Sequence, residues 1–305
     1  MSFPNNEGEL VKSINALKKA KNAVILVHNY QKPEVFKVAD FVGDSLALCK
    51  EASKTNADII VFCGVHFMAE SAAILNPTKK VLMPTVEAGC AMADMISVNG
   101  LLKLKAQHPK ALVVCYVNTS AAIKAISDIC CTSSNAVAVT RSLDCDEVIF
   151  VPDKNLASYV AKNVPEKTII AWDGYCPVHH AVSRSFVEEI KKSNPDAKII
   201  AHPESKPEVL EIADHIASTS GMIDVAKKDP AKQFFVLTEC GMTERLNKAV
   251  KGKTFSGICN MCFDMKMNDL SLILKCLTDE SPVVKVDPII ARQALKAFDR
   301  MFEVS

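Results

Sequence analysis

The stretch 23-AVILVHNYQKPEVFKVADFVGDS-45 decides how this chain is read, because it returns twice, as 111-ALVVCYVNTSAAIKAISDICCTS-133 and 197-AKIIAHPESKPEVLEIADHIAST-219. Each copy opens on a short β-branched run of the kind that forms a strand buried on both faces. Apolar residues then recur at i, i+3 and i+7: Val35, Val38 and Val42; Ile123, Ile126 and Cys130; Val209, Ile212 and Ile216. That spacing predicts a helix in each copy. An aspartate sits late in each predicted helix, at Asp40, Asp128 and Asp214, and reads as structural. Five residues later comes a hydroxyl, at Ser45, Ser133 and Thr219.

The repetition continues downstream. Second strands are expected at 58-DIIVF-62, 146-DEVIF-150 and 233-QFFVL-237, and helices at 67-FMAESAAIL-75, 155-NLASYVAKNV-164 and 243-TERLNKAV-250. Third strands follow at 81-VLM-83, 168-TIIA-171 and 253-KTF-255. A β-α-β-α-β order favours a parallel sheet covered by helices on both faces, with right-handed crossovers. The fold expected is α/β: three similar small three-layer α/β/α domains with parallel sheets, spanning 22–97, 109–190 and 196–275. Helices at 6–20 and 287–303 flank them.

Three cysteines keep step with the repeat. Cys90, Cys176 and Cys262 are separated by 86 residues and by 86 again, and each follows a predicted third strand. Equal units related by pseudo-threefold symmetry would bring one thiolate each to a common centre. Three thiolates can hold a four-iron cluster and leave one iron open, which is the catalytic form of a metal site. Cys259 and Cys262 also form a C-x-x-C pair, which alone reads as a zinc half-site or a redox dithiol. Only Cys262 keeps the spacing, so Cys259 is left as a bystander or an oxidation partner.

Composition narrows the class. The 305 residues are 49% hydrophobic, with 36 Lys+Arg against 35 Asp+Glu, so neither a basic nucleic-acid surface nor an acidic tail is indicated. No apolar run is long enough to span a bilayer, and MSFPNNEGELVKS lacks the pattern of a signal peptide. A cytoplasmic protein is expected. Twelve cysteines there are more often buried, metal-bound or catalytic than disulfide-linked. Cys49, Cys63, Cys115, Cys145 and Cys276 lie in apolar runs and read as core.

Ligands of parallel α/β sheets gather at the carboxyl ends of strands. The residues after the first strands are His28, Asn29 and Tyr30; Tyr116 and Asn118; His202 and Glu204. Histidine and glutamate can exchange protons there, and tyrosine can donate to a carboxylate. His179 lies three residues beyond Cys176, and Glu239 ends the third copy's second strand. The hydroxyls Ser45, Ser133 and Thr219 stand at helix starts, where exposed N–H groups bind anions. Together they suggest a substrate bearing carboxylates or phosphate.

The segments HNYQKPEV, ADFVGDS, FCGVHFMAE, AGCAMADM, YVNTSAAIKA, TSSNA, GYCPVH, HPE, STSGM, TECGM and CFDMKMN resemble those of quinolinate synthase, from about Ala23 to Leu274. The resemblance implies a [4Fe–4S] cluster on Cys90, Cys176 and Cys262 in a pseudo-threefold fold. It implies a transferase-type enzyme that condenses iminoaspartate with dihydroxyacetone phosphate to quinolinate, phosphate and water, in de novo NAD biosynthesis. It places substrate contacts on His28, Tyr30, Ser45, Tyr116, Asn118, Ser133, His202, Glu204 and Thr219, with Tyr30, His28, Glu204 and His202 as the catalytic set. The partners implied are those small molecules, with passing association with L-aspartate oxidase or aspartate dehydrogenase, and neither nucleic acid nor membrane. An aconitase-like hydro-lyase, a cluster-binding sensor and a zinc protein are the alternatives that the residues leave open.

Overall fold

The computed structural model describes residues 6–304, so residues 1–5, part of the stretch read for a signal peptide, lie outside the described residues. Twelve strands form three four-stranded sheets in which every pairing is parallel. The first holds β1 (Ala23–His28), β2 (Phe41–Gly43), β3 (Ile59–Cys63) and β4 (Lys80–Leu82). The second holds β5 (Leu112–Tyr116), β6 (Ile129–Cys131), β7 (Glu147–Val151) and β8 (Thr168–Ala171). The third holds β9 (Ala197–Ala201), β10 (His215–Ile216), β11 (Gln233–Leu237) and β12 (Thr254–Gly257). All three share one strand order, 2-1-3-4 within the repeat.

The sheets differ from the sequence reading in one element. The predicted helix after each first strand is a single turn, over Val35–Lys37, Ala121–Ala125 or Pro207–Leu210, and the chain then forms an edge strand, β2, β6 or β10. The recurrent aspartate is the reason. Asp40, Asp128 and Asp214 each accept the backbone N–H of a first-strand residue (Ile25, Val113 or Ile199) at 2.7, 2.8 and 2.8 Å. Each also returns its own N–H to that residue's carbonyl at 3.0 Å. This double clamp lays the chain beside the first strand, where a continuing helix could not lie. The aspartates are structural, as expected, but stand outside helices.

Helix starts repeat with the same regularity. Ser97, Ser183 and Asp269 cap the helices Val98–Gln107, Arg184–Ser193 and Leu270–Asp279, each accepting the N–H three residues on. A side-chain oxygen at that position satisfies a donor the helix cannot use.

By compactness the chain gathers into two units: residues up to Cys90 with Cys262–Leu295, and Ala91–Met261 with residues from Lys296 onward. In the first, Leu10 and Ile14 of helix Glu7–Ala20 join Ile273, Leu274 and Leu277 to bury Ile25, Val27, Ile59 and Val61 of the sheet. The second unit holds the other two sheets. One core there gathers Val113, Cys115, Ile149 and Val151; another gathers Ile199, Ala201, Phe235 and Leu237. Helix Pro288–Val304 closes the described chain, close to the flanking helix expected at 287–303. Among the described residues no helix is long and apolar enough to cross a membrane.

Candidate active site

A 2-1-3-4 order puts the topological switch between the first and third strands, so the first strand's carboxyl end is where a ligand crevice opens. In the first unit that end carries His28 and Tyr30, both buried. The Tyr30 N–H donates to His28 Nδ1 at 3.2 Å, and the rings meet edge to face with centroids 4.8 Å apart. With Nδ1 accepting, the ring proton sits on Nε2, which makes His28 a donor at that atom. Lys266 Nζ donates to the Tyr30 carbonyl. Ser45 opens the helix Ser45–Lys54, whose preceding Asp44 accepts the Ala47 N–H at 2.9 Å.

The second unit repeats this turn with different side chains. The Glu204 N–H donates to His202 Nδ1 at 3.3 Å, the same backbone-to-imidazole contact. Tyr116, ending β5, donates its hydroxyl to Glu204 Oε1 at 2.5 Å. Glu204 Oε2 faces His179 Nδ1 at 2.8 Å, and His179 Nε2 meets Thr238 Oγ1 at 2.8 Å. The His179 and His202 rings stack at 4.4 Å. A chain of contacts thus runs Tyr116–Glu204–His179–Thr238, every member buried.

Electrostatics sort these groups. Burial alone would raise the Glu204 carboxyl; the charges of His179 and His202, with hydrogen bonds from His179 and Tyr116, outweigh it and bring it down to about 2. Burial, reinforced by the Glu204 charge, pushes the Tyr116 phenol well above its ordinary value, against a lowering hydrogen bond with Ser133. Tyr116 therefore stays a donor and Glu204 an acceptor.

Thr219 opens the helix Thr219–Lys228, capped by Ser218, and Ser133 lies three residues before the helix Ala136–Ser142. The first-strand loops share one further trait. Buried side-chain oxygens of Gln31, Asn118 and Ser205 have no hydrogen-bond partner among the described residues. These lie three, two and four residues beyond the ends of β1, β5 and β9 respectively, and a buried orphan acceptor or donor is costly unless a ligand meets it.

The cysteine loops are held by one repeated brace. The carbonyl two residues before each spaced cysteine accepts a backbone N–H from the loop after the third strand of its sheet. The pairs are Ala88 with His66 at 2.8 Å, Gly174 with Lys154 at 2.8 Å, and Asn260 with Cys240 at 3.0 Å. Cys90, Cys176 and Cys262 therefore occupy equivalent positions, which Cys259 does not share. All three are half-buried and outside any disulfide, whereas Cys49, Cys63, Cys115, Cys130, Cys131 and Cys276 are buried and Cys259 is exposed. Cys145, read as core, is only half-buried.

Ligand atoms of Cys176, His179 and Glu204 lie within 4.8 Å of one another and could together hold a cation. His179, however, has both ring nitrogens engaged, by Glu204 and by Thr238. It would have to release one to ligate, so Cys176 is the donor best placed to do so. The sequence reading did not find Thr238, Asp153 or Asn155. Asp153 was visible as the carboxylate of 152-PDKNL-156, just after the second predicted strand.

A family model described as Quinolinate synthetase A protein matches residues 12–303. The chain is 55% identical over 300 residues to quinolinate synthase 1 of Methanosarcina acetivorans, covering 98% of both chains. It is 54% identical to quinolinate synthase of Methanosarcina barkeri, again covering 98% of each. With the quinolinate synthase of Geobacter metallireducens it shares 53% identity over 95% of this chain and 96% of that one.

Proposed function

Because the chain belongs to the quinolinate synthase family, we propose that it condenses iminoaspartate with dihydroxyacetone phosphate to quinolinate, phosphate and water, in de novo NAD biosynthesis. We propose further that Cys90, Cys176 and Cys262 hold a [4Fe–4S] cluster. The observation that carries this assignment is the repeated brace, which gives these three cysteines, and not Cys259, one position in three equivalent loops. Donor chemistry fits: three half-buried thiols with no disulfide suit thiolate ligation of iron. When bound, a three-thiolate cluster supplies an open iron as Lewis acid.

The protein's own groups do the rest. Helix starts at Ser45 and Thr219, and the loop at Ser133, offer N–H and hydroxyl donors to carboxylates and phosphate. Asn118 adds an acceptor, its unmet Oδ1, for a substrate hydroxyl or N–H. Holding both reactants supplies much of the rate through orientation. Glu204 holds the Tyr116 hydroxyl at Oε1 and faces His179 at Oε2, and this linked chain positions the donors through which protons are exchanged. His28 and His202 present Nε2–H, and Tyr30 beside His28 serves the early steps.

Anaerobic purification with iron quantitation, followed by a quinolinate assay with the two substrates, tests the reading. Bound iron and quinolinate formation are expected, both lost in Cys90→Ala. An active, iron-loaded Cys90→Ala chain would overturn the ligand assignment, and iron without quinolinate would favour a hydro-lyase or a sensor.

A further inference from the structure

One buried carboxylate has no part in the chemistry above. Asp153 is fully buried just after β7, and among the described residues no lysine, arginine or histidine forms an ion pair with it. Both of its oxygens accept backbone N–H groups instead. Oδ1 takes Leu156 N–H at 2.8 Å, capping the helix Lys154–Asn163. Oδ2 takes the N–H of Cys176 itself at 3.1 Å, 23 residues away in sequence.

The cap alone does not explain a carboxylate here. The equivalent position of the first repeat is Val65, which starts the helix His66–Leu75 with no side-chain cap. The two loops are pressed together: a Cβ on Gly174 would stand 2.4 Å from the Pro152 carbonyl. Asn155, also buried, fixes the segment from the other side. Its Nδ2 donates to the Glu204 carbonyl at 2.9 Å and contacts His180 Nδ1 at 3.1 Å. One short segment therefore spans from the Cys176 backbone to the Glu204 backbone.

We propose that Asp153 is a positioning residue for Cys176: its Oδ2 fixes the cysteine's backbone, and so its thiolate, for metal ligation, while Oδ1 caps the helix. The inference rests on the reading of Cys176 as a ligand. Partners that orient a metal ligand from behind are typically worth 10- to 100-fold in metal affinity.

Asp153→Asn separates the two duties. The amide keeps one carbonyl oxygen for the Leu156 cap and turns an NH2 group toward the Cys176 N–H. Expected in the Asn variant is iron loss to a ferrous chelator roughly 10- to 100-fold faster than in the parent. Faster alkylation of Cys176 by iodoacetamide in the metal-free chain, read by peptide mass spectrometry, is also expected. Asp269→Asn, a cap substitution of the same kind on helix Leu270–Asp279, should retain iron like the parent. Should the Asn variant fail to fold, Asp153→Ser keeps a capping oxygen, drops the reach to Cys176, and takes the same two measurements. Parental rates in both would overturn the proposal. A parent chain that binds no iron would instead overturn Cys176 as ligand, and the alkylation rates would still report whether Asp153 restrains it.

Discussion

Glu204→Gln is the most informative single substitution. The side chain is 3% exposed, takes the Tyr116 hydroxyl at 2.5 Å and faces His179 at 2.8 Å. Glutamine keeps a carbonyl for Tyr116 but sets an amide against His179 and removes the charge. Hydrogen bonds to charged groups contribute roughly 1.5–3 kcal/mol, so the variant should lose about that much stability at neutral pH. The pH dependence gives the same scale. A carboxyl at about 2 when folded, against 4.5 ordinarily, stabilises fully above the unfolded value and loses that contribution as pH falls toward the folded one. At about 1.4 kcal/mol per unit this amounts to roughly 3 kcal/mol. Urea unfolding of the metal-free parent and variant should show that gap at pH 7 and see it close as pH falls through the range 4.5 to 2. Anaerobic kinetics should show kcat down about 100-fold or more, the range of general acid–base catalysis, with bound iron unchanged. A gap of equal size at pH 7 and pH 3, or a variant with parental kcat, would refute the reasoning.

Other substitutions test the scaffold and the site separately. Asp128→Ala orphans the Val113 N–H and should cost about 1–3 kcal/mol by urea unfolding, whereas Lys198→Ala, which breaks only an exposed pair with Asp214, should stay within about 0.5 kcal/mol. Cys259→Ser should keep its iron after anaerobic purification while Cys262→Ser loses it; the opposite result would break the equivalence of the three cysteine loops. Asn118→Ala should raise KM about tenfold, the effect of one substrate contact of about 1.4 kcal/mol, and leave the melting temperature unchanged because its Oδ1 has no protein partner.

The repeat made most of the fold legible. β-branched runs at 23–27, 111–115 and 197–201 mark the first strands, and the second and third predicted strands fall within a residue or two of β3, β7, β11 and β4, β8, β12. The edge strands β2, β6 and β10 were hidden because Val42, Cys130 and Ile216 extend a helical spacing. What breaks it is a tertiary contact, the clamp of Asp40, Asp128 or Asp214 on the neighbouring strand, which no local period encodes. For the same reason the sequence pointed to Glu204 and His179 separately but not to their 2.8 Å contact, which joins loops from two different sheets. Asp153 was missed because a carboxylate after a strand reads as an ordinary helix cap, and its second bond reaches into a distant loop.

The three copies agree in their scaffold contacts and differ at their first-strand ends. The aspartate clamp and the carbonyl brace before each cysteine recur with the same atoms, and the cap seven residues after it recurs as a side-chain oxygen of Ser, Ser or Asp. At the first-strand ends the copies diverge into His28 and Tyr30, Tyr116 and Asn118, His202 and Glu204. The proposed three-thiolate site would ask for three like donors, and a repeated scaffold presents like side chains at like positions. The two unlike reactants of the proposed reaction would ask for unlike contacts, which repeated residues cannot provide. Positions that break the repeat while remaining buried are therefore where substrate chemistry is to be sought. Asp153 fits that rule from the scaffold side: it stands where the first copy has Val65, and its carboxylate reaches the backbone of one cysteine.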